Sequence, residues 1–276
     1  MREFALAIAT MLCVSAAHGA EVPKIADNIP IPGAPQIPVQ PKTPHILPIG
    51  QYPALPDEVE LAQIRMFEAV PLEIEPYFDL FLYVSKARQG SLAQRMYVFE
   101  RGYDRMVYPI AQWLVSTGRE RREKYFTSTP IGLFKIDRDR MFDYWWSRTW
   151  QAAMPYTMFL DFVVGARKAG IAVHGTTPNH FAELGTRASG GCIRLHPEHA
   201  QALLRLMKSG TFDGMVPVFA WDNIKNGTDR RGGVVYDRSG AVLLQKGLKV
   251  LLYVEDFEGG PAPLLAPVIA MNEDSQ

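Results

Sequence analysis

His174-Gly175-Thr176 and Ser189-Gly190-Gly191-Cys192-Ile193-Arg194-Leu195 are the two stretches from which the rest of the chain can be read. Cys192 is one of only two cysteines in 276 residues, and the other, Cys13, lies in an N-terminal apolar run. A thiol attacks an amide carbonyl as the thiolate, so it needs a base, and the carbonyl oxygen that becomes negative needs hydrogen-bond donors. His174 follows the apolar residues Ile171, Ala172 and Val173, and a strand end there would present it rigidly as the base. The N–H groups of Gly191 and Cys192 are the candidate oxyanion hole, because glycine lets a carbonyl oxygen approach the main chain. Arg194 is a candidate for holding a substrate carboxylate or lowering the thiol pKa. Together these residues have the make-up of a cysteine acyltransferase site.

Directly after the cysteine segment, the spacing predicts a helix over 197–208. Pro197 falls in its first turn, and Ala200, Leu203, Leu204 and Met207 form one apolar face that would pack beside the cysteine turn. Elsewhere the patterns predict strands over 78–87, 94–100, 106–116, 131–137, 158–164 and 171–174, and a buried strand over 215–221. A hairpin over 232–242 and a closing strand over 248–255 follow. Ahead of all of these, 57–76 is a short helical lead-in. The expected class is a β-rich α+β domain with a supporting helix after the cysteine.

The N-terminus carries Arg2, an apolar run from Phe4 to Ala17 and small residues before Glu21, the layout of a cleavable export signal over 1–20. A run of fourteen residues is shorter than the roughly 20 a bilayer span requires. Ten prolines punctuate 21–56, predicting an extended polyproline-like linker, and the tail over 259–276 is expected to lack fixed structure. Lysine plus arginine number 29 and aspartate plus glutamate 29, so no global field recruits nucleic acid.

Taken together, the ordered motifs resemble those of the L,D-transpeptidase catalytic domain, or YkuD, family. His174-Gly175-Thr176 and Ser189 to Leu195 carry the resemblance. So do Val115-Ser116-Thr117-Gly118, Thr129-Pro130-Ile131-Gly132-Leu133-Phe134, Met154-Pro155-Tyr156 and Val216-Pro217-Val218. The resemblance spans about 77–221, leaving 222–258 as a C-terminal extension, and implies a mixed β-sheet or sandwich domain. It further implies that Cys192 attacks a peptidoglycan stem peptide between its third and fourth residues, releases the terminal D-alanine and forms a thioester. An amine from a second stem, a lipoprotein or a free D-amino acid, or water, then resolves it. His174 would be the base, oriented by the Gly175 carbonyl, while Tyr156 and Ser189 would touch substrate. No cofactor or metal is implied, carbapenem acylation is expected, and the site would face the periplasm or wall. One departure stands out: many relatives have Ser-His-Gly-Cys where this chain has Ser189-Gly190-Gly191-Cys192.

Other features have plainer readings. Tyr144, Trp145, Trp146 and Trp150, with Arg138, Arg140 and Arg148, lie where relatives carry a lid, but they suit a packed core or an interface equally. His180, His196 and His199 fit no compact zinc spacing and read as loop or helix-start residues. Residues 185–191 lack the ending of a phosphate-binding loop, and Asn226-Gly227-Thr228 is assigned no role. Two rival functions remain at this point: an L,D-carboxypeptidase or other amide hydrolase on the same scaffold, and a non-catalytic wall-binding protein.

Overall fold

The computed structural model describes residues 56–123, 127–164, 167–221 and 232–259. The expected export signal over 1–20, the expected proline linker up to residue 55, the Asn226 triplet and the tail past 259 lie outside the described residues.

After α1 (Pro56–Ala69) the chain forms β1 (Leu80–Ser85), β2 (Arg95–Arg101), β3 (Val107–Leu114) and the short β4 (Thr117–Gly118). β5 (Gly132–Ser147) and β6 (Ala152–Leu160) make a long hairpin, followed by β7 (Val163–Val164), β8 (Arg167–Lys168) and β9 (Ala172–Gly175). Next come β10 (Arg187–Ser189), β11 (Ile193–Leu195) and α2 (Pro197–Lys208). The chain closes with β12 (Asp213–Pro217), β13 (Phe219–Trp221), β14 (Gly232–Val234), β15 (Leu244–Leu248) and β16 (Val250–Glu255).

Eight of these strands form one mixed sheet in the order β11-β9-β6-β5-β16-β1-β2-β3, in which β9 and β11, and β1 and β16, run parallel. Its centre is covered on both faces. Leu80, Leu82, Val84, Leu252 and Val254 join a core that includes Ala200, Leu203, Leu204 and Met207 of α2. The alternate residues Phe81, Tyr83 and Leu251 join a second core with Leu61, Ala62 and Met66 of α1. Double coverage explains why 80–84 reads Leu-Phe-Leu-Tyr-Val without a polar position, since strands buried on both sides lose the alternation of half-exposed ones. The helix expected at 197–208 forms over those residues, with its apolar face turned inward against β6 and β9.

Five strand readings change in the structure. β5 runs ten residues beyond 137, because the charged stretch Asp137 to Arg140 is an irregularity in the ladder with β6 and not its end. β6 therefore begins at Ala152 instead of 158. The run over 215–221 splits at Pro217, β12 pairing with β15 and β13 with β14, and Met215 is exposed. The turn at Asp237 to Ala241 forms, but the hairpin ladder is a single Tyr236–Val242 bridge, since residues 232–234 pair with β13 instead. Lastly, the closing strand is no outlying extension: β16 lies between β1 and β5 near the middle of the main sheet.

Candidate active site

β9 and β11 set the geometry. They pair in parallel with Arg194 opposite His174, and Cys192 sits in the bend just before β11, packed with Ala172, Met154 and Phe159. Ala172 precedes His174 by two residues, so both side chains leave the same face of β9 and the thiol lies on the histidine's side of the sheet. The Cys192 Sγ is 3.7 Å from the Gly170 carbonyl oxygen.

The imidazole is held in one tautomer. His174 Nδ1 lies 2.8 Å from the Gly175 carbonyl oxygen. A carbonyl only accepts, so Nδ1 carries the proton and Nε2 keeps its lone pair. Burial lowers the His174 pKa to about 4, against the raising effect of that hydrogen bond and with a further push from the Arg194 charge. Burial also pushes the Cys192 thiol up, partly offset by the Ala172 backbone and Arg194. Burial thus disfavours the charged form of each group, the thiolate as well as the imidazolium, and Cys192 is 9% exposed.

Beneath the cysteine is a floor of buried polar groups. Ser189 Oγ donates to the Cys192 carbonyl at 2.5 Å and accepts the Gly191 N–H at 3.1 Å. Thr129 Oγ1 donates to the Gly191 carbonyl at 2.9 Å and accepts the Gly118 N–H at 2.8 Å. Gly191 has φ +123°, a conformation that a side chain would strain, and its imagined Cβ would lie 2.9 Å from the Ser128 carbonyl oxygen. Below this, the almost fully buried Lys86 donates to the Thr129 carbonyl at 2.9 Å and to Ser128 Oγ at 3.3 Å, and pairs with Glu120.

These contacts revise several expected roles. The Gly191 N–H is taken by Ser189 Oγ because the positive φ turns it back toward β10, which leaves the Cys192 N–H as the remaining oxyanion-hole candidate. Ser189 is fully buried and spends its hydroxyl on the turn, so it shapes the cysteine segment instead of meeting substrate. Tyr156 packs against the main core and its hydroxyl accepts from Gln201 Nε2 at 2.9 Å, tying β6 to α2. Arg194 Nη1 is ion-paired with Glu183 at 2.6 Å, and the same side chain contributes positive charge beside His174 and Cys192.

The other histidines stand where the sequence put them, His196 and His199 at the start of α2 and His180 in a loop turn. His199 is half-buried there: it stacks on Trp113, centroids 5.1 Å apart, and burial lowers its pKa to about 4. His180 stands in a 3-10 turn with Nδ1 2.9 Å from Glu183.

The roof is the distal half of the β5–β6 hairpin. Phe142, Met154 and Phe159 close over the thiol, Trp145 packs on Phe142 and Phe159, and Tyr144 and Trp146 face outward. At the hairpin tip, Trp150 reaches back across Gly190. Sequence reasoning named the hairpin aromatics without locating them, and missed Lys86, Glu120 and Glu183 altogether. A lysine after a strand and glutamates in polar loops carry no sequence mark of burial or pairing.

A family model matches this arrangement. The model of the L,D-transpeptidase catalytic domain, YkuD, covers residues 81–219, a span holding both His174 and Cys192. The chain belongs to the L,D-transpeptidase catalytic domain family. Similar solved structures include an L,D-transpeptidase (Yku) from Stackebrandtia nassauensis, at 20% identity over 46% of this chain and 50% of that one, TM-score 0.34. The L,D-transpeptidase LdtMt1 in complex with imipenem matches at 15% identity over 64% and 59%, TM-score 0.36. The helical cell shape determining protein Pgp2 from Campylobacter jejuni matches at 13% over 73% and 57%, TM-score 0.37. The chain thus spans 50–59% of the length of these proteins. A search of curated proteins finds no match.

Proposed function

We propose that this family member is an exported, cysteine-dependent L,D-transpeptidase of peptidoglycan stem peptides. The observation that carries the reading is the fixed tautomer of His174: with Nδ1–H bound to the Gly175 carbonyl, Nε2 is a base on the face of the sheet where Cys192 lies. In the forward step Nε2 takes the thiol proton as Sγ bonds to the substrate carbonyl carbon. The carbonyl π electrons move to oxygen, which the Cys192 N–H stabilises. Collapse expels the terminal D-alanine, whose amine takes the proton from His174, and leaves a thioester. An acceptor amine from a second stem or a lipoprotein then adds to the thioester carbonyl and gives a proton to His174, and as the C–S bond breaks His174 returns that proton to Sγ, restoring the thiol.

The pKa pattern suits this sequence. A neutral base is needed at the start, and a pKa of about 4 keeps His174 neutral throughout the ordinary range. The buried thiol transfers its proton only as the substrate arrives, which protects a lone cysteine from oxidation in an exported setting. A carbapenem would acylate the same sulfur by opening its lactam ring.

The test is to incubate the mature protein and Cys192→Ala with a disaccharide tetrapeptide, with and without excess D-amino acid, and to weigh the products. Loss of D-alanine with an exchange product or dimer, abolished by Cys192→Ala, is expected. Tripeptide alone would shift the reading to a hydrolase. Turnover surviving in Cys192→Ala, or no turnover and no carbapenem adduct in the unaltered protein, would overturn it.

A further inference from the structure

A side chain at position 190 would have to displace Trp150. A Cβ built on Gly190 would lie 2.6 Å from Cε2, 2.8 Å from Cζ2 and 2.9 Å from Nε1 of Trp150, closer than real Cβ atoms approach other heavy atoms. The obstruction is one edge of a single indole, delivered from the tip of another hairpin. The Trp150 backbone N–H donates to Ser147 Oγ at 3.3 Å, and the residue, at a hairpin tip, is 37% exposed.

A second contact fastens the indole to the same segment. The Arg119 guanidinium carbon lies 5.7 Å from the Trp150 ring centroid, near enough for cation–π attraction. Arg119 is itself bound to the strand that leads into the cysteine turn: its N–H donates to the Ser189 carbonyl at 3.1 Å and its Nη1 to the Ala188 carbonyl at 3.1 Å. Its Nε is buried without a hydrogen-bond partner among the described residues. Trp150 therefore rests across Gly190, two residues before Cys192, with Arg119 on one side.

From this we infer that Trp150 is the specificity-determining wall of the acyl-binding cleft beside Cys192, filling from the hairpin tip the space that a side chain at 190 would fill from the turn. The inference rests on the acyl-transfer reading above and adds to it the residue that contacts the peptide beside the bond to be broken. The two ways of building the wall differ physically. A side chain on residue 190 would be fixed by the hydrogen-bonded turn, whereas Trp150 moves with the hairpin. The cleft can then widen for a branched peptide without disturbing Ser189, Gly191 or Thr129, and the indole face offers a flat apolar surface for the peptide to stack on.

The experiment is a double-mutant cycle on the full mature protein: unaltered, Gly190→His, Trp150→Gly, and both together. It reads kcat and KM on the stem tetrapeptide, with thermal unfolding to confirm that each variant folds. Gly190→His alone is expected to lose about tenfold or more in kcat/KM, because the imidazole and the indole compete for one space. Trp150→Gly is expected to raise KM about fivefold with kcat changed less than about threefold, the signature of lost uniform binding. In the Trp150→Gly background, adding Gly190→His should cost less than about threefold. Independent, multiplying penalties, or an unchanged KM in Trp150→Gly, would overturn the inference while leaving the acyl-transfer reading standing. Absence of turnover in the unaltered protein would instead remove that reading, and this one with it.

Discussion

The floor and the roof of the cysteine pocket are built on opposite principles. The floor, from Lys86 through Thr129 and Ser189 to Gly191, consists of buried polar groups that each hold a neighbour in place. The roof, from Phe142 to Phe159, is a hairpin whose outer half carries exposed aromatics. Buried polar networks are costly to leave half-satisfied and so admit one geometry, whereas an apolar hairpin resting on its neighbours can shift with little loss. The contrast assigns precision to the floor and access to the roof.

The largest effect that would break this comparison is in the floor. Lys86→Met removes the charge partner of Glu120 and the donors to Thr129 and Ser128, and is expected to cost about 3–5 kcal/mol of folding stability. Urea denaturation checks it, and a loss near zero would mean that the floor does not hold the turn.

A second measurement sharpens the same point through pH. The folded-state pKa of His174 is depressed from 6.5 to about 4, so the unfolded chain binds a proton below pH 6.5 that the folded protein refuses until about pH 4. Its contribution is whole above pH 6.5 and is lost as pH falls through that window, on the order of 3 kcal/mol. His199, depressed by burial in the same direction, adds to the slope. Denaturation midpoints at pH 7 and pH 4.5, compared with His174→Gln, should show a flatter slope in the variant.

The smallest effect belongs to the roof. Tyr144→Ala, at a side chain 60% exposed, is expected to change stability by less than about 0.5 kcal/mol. Thermal unfolding checks it, and a cost comparable to that of Lys86→Met would make the hairpin as rigid a part of the fold as the floor.

Much of this was legible before the fold was known. The i, i+3, i+4, i+7 spacing in 197–208 gave α2, because one apolar stripe on a helix has one way to be buried. Short apolar runs gave most strand positions, though not partners. Pro217 stood in the sequence of one expected strand, yet only pairing showed that the chain changes neighbours there. The strand expected over 131–137 runs on through the charged stretch to Ser147, because a strand that outgrows its sheet has no apolar pattern to announce it.

By itself the sequence determined the family and the β-rich class, since these depend on residue type and order along the chain. Tertiary structure decided everything that depends on which distant groups meet. It spent the Gly191 N–H and the Ser189 hydroxyl inside the turn, buried Lys86 against Glu120, and placed the last strand in the middle of the sheet. It also set Trp150 over Gly190. A hydrogen bond, an ion pair or a steric exclusion is a relation between two positions, and no pattern in either stretch alone contains it.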